Sequence, residues 1–251
     1  MLTNKIIAHR GESFDAPENT LAAINLAWQR GVSAVEIDIH LTLDNRIVVI
    51  HDNDTYRVAG ESLMVDLSTA KELRKLNAGA HKGILWKEDK IPFLDEVLKT
   101  VPDTGKLIIE VKSGLNILTV LHEELLKSDL RNNQIEIIAF NLKVLALAKQ
   151  LMPNYKMLWL LDLDYVVSRW LVWKSNKGII NKIKKHNLDG VNLWAGKVLT
   201  KKYIKKLKQA GIIVYAWTVD DVDMADYLLN AGVDKVTTNR AKWMIKQLMA
   251  N

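Results

Sequence analysis

One recurrence constrains the fold more than any other feature of the chain. Nine apolar runs of strand length follow one another from end to end, at 5–9, 34–41, 46–51, 106–112, 135–140, 156–161, 190–194, 212–217 and 235–238. Most are continuous β-branched or aromatic runs rather than alternating ones, the pattern of strands covered on both faces. Helical spacing fills most of the intervals, at 18–30, 116–126, 141–151, 201–209 and 221–231. In the first of these Leu21, Ile24 and Trp28 share one stripe. Alternation of this kind builds a parallel sheet through right-handed crossovers.

The runs 34–41 and 46–51 break the alternation, because only Thr42–Asn45 separates them. That is too short for a crossover helix, so the two form a hairpin and one of them joins the parallel set. Eight βα-type units then remain in 251 residues, the count and size of a (β/α)8 TIM barrel. A doubly wound open sheet is the alternative, but no G-x-G-x-x-G loop follows the first run. Residues 52–92 hold turn signals and one short helical pattern at 69–76. The expectation is a single domain, 1–251, with a small insertion at about 52–92 after the second strand region.

Composition narrows the chemistry. Cysteine is absent, which excludes disulfides, thiolate ligands and a cysteine nucleophile. No apolar run is long enough to cross a membrane, and no signal peptide fits before Ile6, so a cytoplasmic location is expected. The net charge is +6, with lysines gathered late, in NKIKKHNL (181–188) and TKKYIKKLKQ (200–209). These read as solvated helix faces, or as attraction toward anionic substrates or transient contact with a membrane surface. No reading helix or basic–aromatic module points to nucleic acid.

In a barrel, polar groups at the carboxyl ends of strands share one mouth. Here those ends carry His9-Arg10, Glu36 with Asp38, His51-Asp52, and Glu110 with Lys112. Glu36 and Asp38 are two apart on a strand, so both side chains point the same way. Two inward carboxylates repel each other and are poorly solvated. Either Arg10 and Lys112 neutralise them in an ion network, or a divalent cation does, with Glu110 as third oxygen ligand. An all-carboxylate set suits a hard ion, Mg²⁺ or Ca²⁺. His9 and His51 are suited to proton transfer in either direction, unless each is a satisfied, half-buried histidine or a ligand. His40 shares the face of Glu36 and Asp38 and reads as a support, whereas His122 and His186 read as surface residues. Arg10 and Lys112 beside carboxylates suit a phosphate group. Together these residues describe a hydrolase of phosphate esters.

The same residues carry a resemblance. AHRG (8–11), PENT (17–20), VEIDIHLTLDNRIVVIHD (35–52), IPFLDEVL (91–98), LIIEVK (107–112), WTVDD (217–221) and AGVDKVTTNR (231–240) resemble the glycerophosphodiester phosphodiesterase family in order and spacing. The resemblance implies a TIM barrel with an insertion after the second histidine. It also implies metal-dependent hydrolysis of small-molecule glycerophosphodiesters to glycerol 3-phosphate and an alcohol. It gives His9 and His51 the acid–base roles, without saying which is which. Glu36, Asp38 and Glu110 become metal ligands, Arg10 and Lys112 phosphate contacts, and Trp217 an aromatic wall beside the glycerol. In the family's mechanism the substrate's own glycerol hydroxyl attacks phosphorus, giving a cyclic phosphate that water opens. One departure stands out: Asn239 occupies a place where the family usually has aspartate, and a helix N-cap accepts either. The expected alternatives are a lysophospholipase D, with Trp170, Trp173 and Trp194 framing an apolar lip, and a non-catalytic phosphodiester-binding barrel.

Overall fold

The computed structural model describes the backbone of residues 2–166 and 169–250, and their side chains outside 165–175. Nine strands are present among these residues. They are β1 (Ile6–His9), β2 (Ala34–Leu41), β3 (Ile47–Val49), β4 (Lys106–Val111), β5 (Ile135–Ala139), β6 (Lys156–Leu161), β7 (Gly190–Trp194), β8 (Ile213–Trp217) and β9 (Lys235–Thr238). Eight of them, all but β3, pair in parallel in the order β1-β9-β8-β7-β6-β5-β4-β2, and β1 pairs with β2 to close the ring. This is the (β/α)8 barrel the alternation predicts.

β2 is the hairpin strand that belongs to the ring. Its first half pairs with β1, placing His9 opposite Glu36. Its second half outlasts β1, and β3 takes the vacated edge in antiparallel register, Ile39 opposite Val49. Two chain segments therefore end side by side along one edge of β2, the first at His9 and the second just before His51.

The pleat separates two cores. Val35, Ile37 and Ile39 face outward into the layer between sheet and helices. The inward set is different: Ile7, Ile108, Ile138, Leu158 and Tyr215 fill the barrel with an apolar plug. Below the plug, the buried Glu136 accepts a hydrogen bond from the Tyr215 hydroxyl at 2.8 Å, with Lys106, Lys156 and Lys235 around it. The polar residues of β1, β2 and β4 thus open only toward the other end.

The helices are α1 (Leu21–Gln29), α2 (Tyr56–Ala59), α3 (Ala70–Leu73), α4 (Leu94–Leu98), α5 (Ile117–Lys127), α6 (Leu142–Leu151), α7 (Leu163–Val166), α8 (Arg169–Lys185), α9 (Lys201–Gln209), α10 (Val222–Ala231) and α11 (Ala241–Ala250). α1 starts three residues later than its periodicity predicts. Thr20 is its N-cap, with the hydroxyl accepting from the Ala23 amide, so Glu18 and Asn19 lie outside the helix. Asn19 sits at φ 58, a conformation that asparagine tolerates. The helical pattern at 69–76 shortens to α3, held by a Thr69–Glu72 capping box. None of the described helices is long and apolar enough to cross a membrane.

Candidate active site

The first strand ends in a tight turn built by two successive left-handed residues, Arg10 at φ 56 and Gly11 at φ 81. Gly11 has a second requirement, since a Cβ there would lie 2.5 Å from the backbone of Ala23 in α1. The turn is held from the next strand: the Arg10 amide donates to Glu36 Oε2 at 3.1 Å. The Arg10 side chain then swings over β2, with Nε 3.1 Å from Asp38 Oδ2.

Strand register brings the acidic residues together. Asp38 and Glu110 are direct partners across β2 and β4. One carboxylate oxygen from each of Glu36, Asp38 and Glu110 lies within 4.8 Å of the others, and all three residues are buried. Glu36 Oε1 accepts no hydrogen bond. Lys112 Nζ stands 2.6 Å from Glu110 Oε1 and 3.2 Å from Asp38 Oδ1, and Asn19 Nδ2 donates to Asp38 Oδ2 at 2.8 Å. The charge on this cluster is uneven. Burial, then the Asp38 and Glu110 carboxylates, push Glu36 well above the usual carboxylate range. Burial and Asp38 push Glu110 up to about 7. Burial acts the same way on Asp38, but Lys112 and Arg10 outweigh it and hold Asp38 well below its ordinary value. A buried acidic triad with a bare oxygen on Glu36, sharing too few cations, has the donor set of a hard divalent ion.

The two histidines flank the triad. His9 Nε2 lies 4.0 Å from Glu36 Oε2, while its Nδ1 is 2.7 Å from Asn239 Oδ1. The Asn239 amide group donates to Asp220 Oδ2 at 2.6 Å, which turns its carbonyl oxygen toward His9. His9 therefore donates from Nδ1 and leaves Nε2 unprotonated toward the site. Burial, and then Arg10, lower its pKa to about 4. His51 pairs instead with an acid: its Nδ1 is 2.6 Å from Asp52 Oδ1. Burial also lowers the His51 pKa, with Asp52 acting the other way. His40 Nε2 lies 3.1 Å from the His51 carbonyl oxygen, the supporting position its strand parity implies.

Asn239, read from the sequence as a helix cap, and Arg57, which the sequence reading does not include, complete the site. Asn239 does not cap α11. Glu12 does that work, accepting from the Lys242 amide at 2.7 Å, and Asn239 serves His9 instead. Arg57, from α2, donates two hydrogen bonds to Glu18 at 2.8 Å each and one to Asp52 at 2.6 Å. Glu18 in turn accepts from Arg10 at 2.8 Å. A continuous chain of charges thus runs from Arg10 through Glu18, Arg57 and Asp52 to His51. The order of residues carried no signal for Arg57 beyond its place five residues after Asp52.

Across the mouth stands an aromatic wall. Trp217 meets Phe140 and Trp194 edge-on, with ring centroids 5.6 and 5.2 Å apart, and donates from Nε1 to the Asn192 carbonyl oxygen at 3.2 Å. The side chains of Trp170 and Trp173 lie outside the described residues.

A parallel barrel with cations, two histidines and a buried acidic triad at the carboxyl ends of β1, β2 and β4 defines a phosphate-ester hydrolase of the TIM-barrel class. The model of the glycerophosphoryl diester phosphodiesterase family matches residues 9–242, and the chain belongs to that family of phosphoric diester hydrolases. It is 31% identical over 245 residues to the glycerophosphodiester phosphodiesterase of Caldanaerobacter subterraneus subsp. tengcongensis, covering 96% of each chain. Among solved structures, an Oleispira antarctica phosphodiesterase in complex with the product sn-glycerol-3-phosphate superposes with a TM-score of 0.86 at 27% identity, covering 98% of this chain and 97% of that one. The glycerophosphodiester phosphodiesterase of Thermotoga maritima shares the fold, with a TM-score of 0.79 at 23% identity over 96% of this chain and 97% of that one.

Proposed function

We propose that the chain is a divalent-metal-dependent glycerophosphodiester phosphodiesterase that uses His9 and His51 as its acid–base pair. The observation that carries this reading is the buried triad of Glu36, Asp38 and Glu110, set between the two histidines and beside Arg10 and Lys112. The product bound by the Oleispira antarctica enzyme supports the glycerol phosphate half of the substrate. Glu36, Asp38 and Glu110 would hold Mg²⁺ or Ca²⁺, which when bound offsets the negative charge of the phosphoryl oxygens.

The residues divide the work by their partners. Arg10 and Lys112 grip the phosphate oxygens. His9 has a neutral partner in Asn239 and keeps Nε2 free, so it is the base. It takes the proton from the glycerol hydroxyl as that oxygen bonds to phosphorus. His51 has an anionic partner in Asp52, which favours its protonated form, so it is the acid. It gives its proton to the alcohol oxygen as the P–O bond to that alcohol breaks. The cyclic phosphate is opened by water with the roles reversed. Trp217 lies along the glycerol side, where an aromatic ring excludes water.

Assay of the metal-reconstituted protein on glycerophosphocholine, glycerophosphoethanolamine and a lysophospholipid, each with an EDTA control, tests the reading. We expect EDTA-sensitive release of glycerol 3-phosphate from the first two. Turnover of the lysophospholipid alone would favour a lysophospholipase D, and turnover of none would leave a phosphodiester-binding barrel.

A further inference from the structure

Ile84 and Leu85 are the most exposed large apolar residues among those described, 77% and 88% accessible. They form a single 3₁₀ turn with Trp86, between the exposed Lys82 and Lys87. The turn is not remote from the site. Lys82 Nζ donates to the Ser13 carbonyl oxygen at 2.7 Å and lies 6.0 Å from the ring of Phe14. Phe14, 53% exposed, is tied by its amide to the carbonyl oxygen of Asn239, the residue that holds His9. The Arg240 guanidinium stands 4.2 Å from the Phe14 ring. Two loops that meet beside the mouth therefore present apolar tips, ringed by Lys82, Lys87 and Arg240 against the exposed carboxylates of Glu88 and Asp15, the latter already paired with Arg30.

Apolar tips ringed by cations match a particular surface. At an anionic bilayer, aliphatic and aromatic side chains enter the boundary between headgroups and acyl chains, while flanking lysines and arginines meet lipid phosphates. A protein groove would take the apolar side chains but gives no reason for the cationic ring. We propose that Phe14, Ile84 and Leu85 dock the barrel mouth on an anionic phospholipid surface. Docked in this way, the site opens toward headgroups. That orientation deepens the proposed phosphodiesterase reading and rests on it, although docking itself is measured without turnover.

Co-sedimentation with vesicles of phosphatidylcholine containing about one-third phosphatidylglycerol, against pure phosphatidylcholine vesicles, tests the proposal. The wild-type chain should pellet with the anionic vesicles and be released by high salt. Ile84→Glu/Leu85→Glu should lower the partition by about tenfold or more, with an unchanged melting temperature because neither side chain is packed. Leu85→Trp should raise it, since tryptophan prefers the interface. Wild-type protein left in the supernatant, or equal binding by the double variant, overturns the proposal. So does tip-dependent self-association or protein binding without vesicle binding. Vesicle binding without hydrolysis of glycerophosphocholine would sink the activity and leave the docking. Hydrolysis without vesicle binding would do the reverse.

Discussion

His9 Nδ1 and Asn239 Oδ1 lie 2.7 Å apart, although 230 positions separate the two residues in the chain. A neutral amide here fixes the tautomer of the histidine and stabilises its charged form less than a carboxylate would. The low pKa of His9, about 4, follows from burial and then Arg10, which Asp38, the Asn239 hydrogen bond and Glu18 offset only in part. Asn239→Asp supplies a carboxylate in place of the amide. His9 must be unprotonated to accept a proton, so its pKa sets the acid side of the rate profile. The substitution should move that side upward by roughly 1–2 pH units. The profile of kcat/KM against pH for the two proteins measures it, and coincident acid limbs would remove His9 as the base.

The same pair marks the limit of what the chain's order reveals. Glu36 and Asp38 are legible because strand parity is local, and Glu110 because it ends its own apolar run. The barrel is legible for the same reason: its strands, and β3 beside them, carry their burial on both faces. The roles of Asn239 and Arg57 are not, because each acts on a partner brought close only by closure of the barrel or by the fold of residues 52–92. The start of α1 departs from its periodicity through a local effect, since Asn19 adopts a positive φ and its side chain binds Asp38 rather than the helix end. Helices as short as α2 and α4, four and five residues, hold too few positions for a periodicity to register.

Arg57, on α2, is joined through Glu18 to Arg10 and through Asp52 to His51. Its hydrogen bonds to Glu18, with those of Arg10, outweigh burial and hold the Glu18 pKa down to about 2. A carboxylate with a depressed folded pKa contributes stability above its unfolded value, near 4.5, and loses it as pH falls through about 2. Arg57→Ala should therefore cost about 1–2 kcal/mol at pH 7, discounted because Arg57 is partly exposed, and almost nothing at pH 2. Urea denaturation at the two pH values provides the comparison. A loss that persists undiminished at pH 2 would mean that packing, not charge, is what Arg57 supplies.

Ion binding has to displace a proton from the triad. Glu110 titrates near 7 and Glu36 well above the ordinary carboxylate range, both chiefly through burial. Affinity for Mg²⁺ or Ca²⁺ should fall by at least about tenfold between pH 8 and pH 6, as protons compete for those oxygens. Glu36→Gln mimics the protonated acid. It should leave the melting temperature of the metal-free protein nearly unchanged while abolishing the rise in melting temperature on adding the ion. Calorimetric titration at the two pH values, with melting curves of the variant, checks both halves. Affinity independent of pH would place the ion elsewhere.

The assignment of base and acid separates the two histidines by experiment. Removal of either should cost about 10²–10⁴ in kcat on glycerophosphocholine, with ion binding retained. The two variants should part on a substrate whose leaving group needs no proton. A glycerophosphodiester of p-nitrophenol departs as a stable phenolate, so an enzyme without its general acid can still expel it. His51→Ala should recover most of its lost rate on that substrate. His9→Ala should not, because the glycerol hydroxyl must still be deprotonated before it can bond to phosphorus. The geometry gives the reason: His51 leans on the anionic Asp52 at 2.6 Å, and His9 on the neutral Asn239. Recovery by His9→Ala instead would reverse the roles. Equal recovery by neither would mean that leaving-group protonation does not limit the rate.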